Sequence, residues 1–172
     1  MDESVVTDDD ALLRRALWAM PSGLYLLSLT DGERSHLMTI SLVMQASKEP
    51  RRLAMSVERG ALALEFVYEG AAVGLVLLDQ TQAPLARKFA KPPAFDPTTM
   101  VASGVSVVRD FGSGLLMPRD ALGMLLGKVV AMVSLGSHWL ITSSIDSMVV
   151  RQPLEAWPAV LSMSDTRMHY GG

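Results

Sequence analysis

Asp31-Gly32 stands between two apolar segments of this chain. Such a dipeptide adopts the positive φ angles of a tight turn at little cost, and so commits its flanks to pair as antiparallel strands. Before it, residues 24–30 read LYLLSLT. After it, residues 36–50 read HLMTISLVMQASKEP, with Met38, Ile40, Leu42, Met44 and Ala46 at even positions and Thr39, Ser41, Gln45 and Ser47 at odd ones. A period of two marks a half-buried strand. The returning arm is therefore predicted to run unbroken towards Pro50, with Met38, Leu42 and Met44 facing a core and Thr39, Ser41 and Ser47 facing a groove. The second face carries hydroxyl and amide groups, and no charged residue occurs from Leu37 until Lys48. At about 3.3 Å per residue it extends about 26 Å from Thr39 to Ser47, enough to follow a ligand with a ring, a polyol and a phosphate. The same pattern also fits the solvated side of an ordinary antiparallel strand.

The other segments are equally short. Residues 8–20 predict a helix capped by Thr7 or Asp8, with Leu13, Ala16, Leu17 and Met20 on one stripe and Pro21-Ser22-Gly23 as its stop. Strands are predicted over 52–58, 71–79, 123–135, 138–150 and 158–164. Short helices are predicted over 61–70 and 82–90, and a loop over 91–104. Many strands, tight turns and few helices indicate a β-barrel or sandwich with peripheral helices. A barrel would also remove exposed edges from such apolar strands.

Composition narrows the chemistry. With 172 residues, 49% of them hydrophobic and 19% charged, the chain is expected to form one globular domain over residues 1–172. A net charge of −3 argues against general nucleic-acid binding. No cysteine is present, which excludes disulfides and thiolate chemistry. The acidic opening MDESVVTDDD lacks the apolar stretch of a signal peptide, and the longest apolar run, residues 71–78, is too short for a membrane span. A cytoplasmic protein without membrane association is expected. The low charge suggests that part of the surface is covered by a second copy. His36, His138 and His169 share no metal-ligand spacing, and hydrolase and phosphate-loop motifs are missing. Trp18, Trp139 and Trp157 are expected to serve packing. Arg59, before Gly60 at a strand–helix junction, is a candidate for an anionic group.

Taken in order, Pro21-Ser22-Gly23-Leu24, Asp31-Gly32, Met38-Thr39-Ile40-Ser41, Gln45-Ala46-Ser47 and Pro50 resemble the hairpin of the flavin reductase-like family, the FMN-binding split barrels. Downstream, Gln82, Leu85, Ala86, Phe89 and Ala90 match a further family segment, and Gly136-Ser137-His138 stands where the family has Gly-Asp-His. The resemblance extends over about residues 11–170. It implies a mainly β fold, a six-stranded antiparallel split β-barrel of Greek-key type with peripheral α-helices. It also implies a homodimer that binds FMN, with FAD as the alternative, and uses NAD(P)H as co-substrate. Met38, Thr39, Ile40 and Ser41 would then meet the flavin ring, and Gln45, Ala46 and Ser47 the ribityl chain. Arg87 or Lys88, beside Phe89, would meet the phosphate, and His138 would act at the nicotinamide as the catalytic residue.

The departures from the family pattern keep two functions in view. Ala61 and Ala63 stand where the family commonly has a Ser-x-Thr pair on the phosphate, and Ile40 replaces an alanine beside the ring. Gly127 replaces a usual cysteine, and Ser137 the aspartate of Gly-Asp-His. One function is an NAD(P)H-dependent FMN reductase that supplies reduced flavin to a monooxygenase. The other is a non-catalytic or weakly flavin-binding homodimer that holds another ligand.

Overall fold

The computed structural model describes residues 8–151, 153, 158–166 and 168. In it the Asp31-Gly32 turn joins β1 (Tyr25–Thr30) to β2 (Ser35–Ile40), with Tyr25 opposite Ile40 and Thr30 opposite Ser35. Gly32 holds φ at 96°, and the Asp31 carboxylate accepts from the N–H groups of Glu33 and Arg34 at 3.1 and 2.7 Å. The returning arm is not the single strand that its alternation predicts. It breaks after Ile40, where Val43 N–H donates to the Ser41 carbonyl at 2.9 Å and turns the chain. β3 (Val43–Lys48) then pairs with β4 (Arg51–Glu58), not with the partners of β2. The kink undoes the predicted parity: Ser41 is 2% exposed, whereas Leu42 is 38% and Met44 64% exposed.

The remaining strands are β5 (Ala72–Leu77), β6 (Phe95–Asp96), β7 (Val101–Ala102), β8 (Val105–Arg109), β9 (Leu116–Pro118), β10 (Gly123–Ser134), β11 (His138–Ser144) and β12 (Ser147–Val150). The main antiparallel sheet has the order β2-β1-β5-β10-β11-β4-β3, with β12 also paired to β10. β10 spans both halves. Gly123 to Lys128 pair with β5, Val129 to Ser134 pair with β11, and the register shifts between Val129 and Ala131. A Cβ on Gly127, at this crossing, would lie 1.9 Å from the Ser144 carbonyl oxygen, which is why only glycine fits there. β6 to β9 form a separate four-stranded sheet. The expectation of a six-stranded barrel is corrected accordingly. The fold is mainly β and antiparallel, but twelve strands are described. The main sheet of eight does not close, because its terminal strands β2 and β3 form no ladder with each other.

β1 and β5 are covered on both faces. Leu26 and Val76 point into a cluster with Phe89, Val107, Leu116 and Leu161, while Leu27 and Leu75 point into another with Met55, Val57 and Ile141. Successive side chains on a strand point to opposite faces, so each strand feeds both clusters. The first cluster is completed by α2 (Ala83–Lys88), with Pro84 in its first turn and Ala86 and Phe89 fully buried. α1 (Asp10–Trp18) is capped by Asp9, whose carboxylate accepts from Ala11 and Leu12 N–H. Leu12, Leu13 and Leu17 on it are exposed.

The helix predicted over 61–70 is a 3₁₀ turn at Leu62–Phe66. The strand predicted over 158–164 is reduced to two bridges, Val160 with Asp79 and Ser162 with Gly23, followed by a 3₁₀ turn at Met163–Asp165. Thr7, Trp157 and His169 lie outside the described residues. Among the described residues no helix is long and apolar enough to cross a membrane.

Candidate functional site

The edge strand β2 owes its position to α2. Thr39 N–H donates to the Phe89 carbonyl at 3.0 Å, and Thr39 Oγ1 donates to the Ala86 carbonyl at 2.5 Å. The Ala86 carbonyl also accepts from Phe89 N–H at 3.1 Å, so Thr39 adds a second donor at the end of α2. The two Thr39 bonds fix residues 89–92 as a wall beside β2, and a cleft of about 400 Å³ opens there. That volume lies within the usual range of small-molecule sites.

β2 contributes His36, Met38, Thr39 and, just past its end, Ser41. Residues of both parities reach the cleft because it lies off a strand edge. The end of β4 and the 3₁₀ turn contribute Glu58, Gly60, Ala61 and Leu62, and the segment after α2 contributes Phe89 to Pro92. Leu24, Met163 and Met168 form the remaining side. Met163 is held firmly. Its N–H donates to the Ser22 carbonyl at 2.9 Å, and the Asp165 carboxylate accepts from Ser162 N–H at 2.8 Å and from Ser162 Oγ at 2.7 Å.

Two polar groups define the cleft chemically. Ser41 Oγ is buried and has no hydrogen-bond partner among the described residues. Buried hydroxyls are nearly always paired, so an orphan lining a cleft points to a ligand atom. His36 is 4% exposed and stacks on Phe66, with ring centroids 5.5 Å apart and planes 13° apart. The Arg34 guanidinium lies 4.8 Å from the centre of the same ring. Burial pushes the His36 pKa below its ordinary 6.5, and Glu65 offsets this only in part. The imidazole is therefore neutral at pH 7. Among the described residues, the charged side chains lining the cleft are Glu58 and Lys91. Among the described residues no cluster of His, Asp or Glu could hold a metal ion.

Of the residues that the sequence singled out, Met38, Thr39, Ser41, Ala61 and Phe89 line this cleft. The others lie elsewhere. Ile40 is buried in the second core cluster. Gln45, Ala46 and Ser47 are on β3, where Gln45 Nε2 donates to the Ser47 carbonyl at 3.3 Å. Arg59 clamps the β10–β11 turn, donating to the Gly136 carbonyl at 2.9 Å and Ser134 Oγ at 2.6 Å, with its guanidinium over Trp139. Arg87 and Lys88 are exposed in the last turn of α2. His138 begins β11 opposite Glu58, and its Nδ1 is 2.9 Å from Ser137 Oγ. It does not line the cleft, but its cross-strand neighbour Glu58 does.

Sequence reasoning missed His36, Glu58, Lys91, Met163 and Met168 as site residues. His36 was traceable, since it stands two positions before Met38 on the same strand. The two methionines carry no local signal. The bridge between Gly23 and Ser162 brings them in.

The family model described as "Flavin reductase like domain" matches residues 17–170. The chain is 31% identical over 147 residues to putative diflavin flavoprotein A 1 of Thermosynechococcus vestitus, covering 84% of this chain and 25% of that protein. It is 30% identical over 80 residues to an NADPH-flavin oxidoreductase of Streptomyces viridifaciens, covering 46% of this chain and 41% of that protein. The match thus spans about a quarter of the first of these relatives and less than half of the second. In fold it resembles the NADH:FAD oxidoreductase of Streptomyces globisporus C-1027, with a TM-score of 0.72, 20% identity, and coverage of 93% of this chain and 90% of the other. The matched stretch includes every residue that lines the cleft, from Leu24 to Met168, and the chain belongs to the flavin reductase-like family.

Proposed function

We propose that the protein is an NAD(P)H-dependent flavin reductase that binds FMN, or FAD in its place, in the cleft beside β2 and passes reduced flavin to a partner monooxygenase. The observation that carries this reading is the unpartnered Ser41 hydroxyl in a largely apolar cleft of about 400 Å³. The residues present fit a flavin ring. Ser41 offers a donor and an acceptor to a polar ring edge, and Leu24, Met38, Met163 and Met168 offer apolar surface. Thioether contacts with an aromatic ring contribute about 0.3–1.5 kcal/mol each.

A bound flavin would supply the hydride-accepting chemistry. The chain's own residues bind, orient and exclude water. Thr39 ties α2 to β2 and so keeps the wall at residues 89–92 in place. His36 is kept neutral, which adds no buried charge beside the ring. His138 is proposed to orient the nicotinamide, since its strand partner Glu58 stands in the cleft wall.

The functional unit in this reading is a homodimer. The exposed Leu13 and Leu17 of α1, together with Met44, Val133 and Leu135, supply apolar surface for a second copy. Residues 1–172 act as one domain, in the cytoplasm, where reduced nicotinamide nucleotides are available.

A second reading, a flavin-binding or other ligand-binding homodimer without redox turnover, is favoured by one observation: His138 lies outside the cleft lining. Titration of FMN fluorescence followed by NAD(P)H oxidation separates the two. The reductase reading expects quenching at micromolar protein, turnover, and a His138→Ala variant that binds FMN normally but oxidises NAD(P)H more slowly. Binding without turnover leaves only the second reading, and absence of binding removes flavin from both.

A further inference from the structure

The chain has twelve methionines and no cysteine. With no thiol to compete, the thioethers are its readiest targets for a mild oxidant, which converts them to polar sulfoxides. The fold decides which of them an oxidant reaches. Met55, Met117 and Met124 are at most 1% exposed in the core, whereas Met20 and Met44 stand in solvent at 66% and 64%. Met38, Met163 and Met168 lie between these extremes: they are half-buried and line the cleft beside β2.

Each of these three has a core side and a cleft side. Met163 and Met168 pack against the first core cluster and Met38 against the second. Met38 is fixed in the β1–β2 ladder opposite Leu27, and Met163 N–H is held by the Ser22 carbonyl. Two distant parts of the chain thus bring three thioethers to one apolar wall, where the oxidant would arise. Oxygen that takes two electrons and two protons from a reduced flavin leaves as hydrogen peroxide. Peroxide then gives one oxygen atom to a thioether sulfur, forming a sulfoxide and water.

We propose that Met38, Met163 and Met168 form a modification site, at which hydrogen peroxide from reduced flavin converts thioethers to sulfoxides and so lowers the affinity of the cleft for flavin. A sulfoxide oxygen covered by an apolar ring gives up its hydrogen bonds to water, and the thioether contact with the ring is lost as well. Methionine sulfoxide reductases reverse the change. The proposal rests on the proposed flavin site and adds its regulation.

Treating the purified full chain with graded hydrogen peroxide, then removing the excess with catalase, tests it. Peptide mass spectrometry locates the sulfoxides, and fluorescence titration reads the FMN Kd. The Kd is expected to rise by about tenfold or more as Met38, Met163 and Met168 gain oxygen, and to recover after treatment with the two reductases that act on the sulfoxide epimers. This correlation needs no variant. Met38→Leu with Met163→Leu and Met168→Leu, whatever its starting affinity, should shift by less than about threefold on the same treatment, since no thioether remains at the wall. Met20→Leu with Met44→Leu should lose affinity on treatment as the native chain does. Aerobic NAD(P)H oxidation with excess flavin should oxidise the same three positions, and catalase in the mixture should prevent it. An unchanged Kd with all three positions oxidised overturns the proposal and leaves the flavin site standing. So does full conversion of Met20 and Met44 with no oxygen gained at the three. Failure of the untreated chain to bind FMN overturns the site itself, and the proposal with it.

Discussion

Ser41→Ala should make the ligand-free protein more stable and the flavin complex weaker. Ser41 is 2% exposed, and its hydroxyl has no partner among the described residues. An unsatisfied buried hydroxyl costs about 1–3 kcal/mol of desolvation, and alanine removes the group while leaving a space smaller than a methyl-sized cavity. The variant should therefore gain about 1 kcal/mol. For a chain of this length that raises Tm by about 2–4 °C, readable by calorimetry of the ligand-free protein. Flavin binding should weaken by about 1 kcal/mol, or roughly fivefold in Kd, because one neutral hydrogen bond to the ligand is lost. The two signs are opposed, as expected for a group left unpaired until a ligand arrives. A lower Tm in the variant would mean that the hydroxyl is already satisfied without a ligand. An unchanged flavin Kd would mean that it does not touch the ligand. Either result refutes the reasoning.

Light scattering should report a dimer at micromolar concentrations, and Leu13→Asp with Leu17→Asp should convert it to a monomer, since both leucines lie exposed on α1. Gly127→Ala should cost about 3 kcal/mol or more, or yield no soluble protein, because the new methyl would meet backbone at Ser144. His36 makes stability depend on pH. Its folded pKa is depressed by burial, so its contribution is fully present above the ordinary 6.5 and is lost as pH falls from there through the folded value. Tm should drop more steeply below pH 6.5 in the native chain than in His36→Phe, which keeps the stack on Phe66. Ala61→Ser should add a hydroxyl to the cleft wall and favour FMN over riboflavin by about threefold to tenfold. The paired change at Ala63 should instead destabilise, since a threonine there overpacks a fully buried core position.

Local chemistry determined a large part of this protein. The turn at Asp31-Gly32, β1, β4, β5 and α2 fall within two residues of where turn signals and apolar spacing put them. The double-sided burial of β5 follows from an apolar run too long for a half-solvated strand. The order of short motifs along the chain identified the family, because each motif is a local requirement of one backbone turn or edge.

Tertiary structure decided the rest, and the site above all. The break between β2 and β3 leaves no mark in the alternation, since Leu42 and Met44 continue the apolar parity across it. It exists because β3 pairs with β4 on the far side of the sheet. The strands β8 and β9 are too short to show a period, and only their mutual pairing makes them strands. Lys91 replaces Arg87 and Lys88 in the cleft because Thr39 anchors α2 at its end and leaves its last turn facing out. Met163 arrives through two isolated bridges, far along the chain from β2. A period of two reports which side chains share a face only while a strand runs straight. A cleft off a strand edge gathers residues from distant segments, and the ladders that bring them together are set by non-local pairing, which no local spacing encodes.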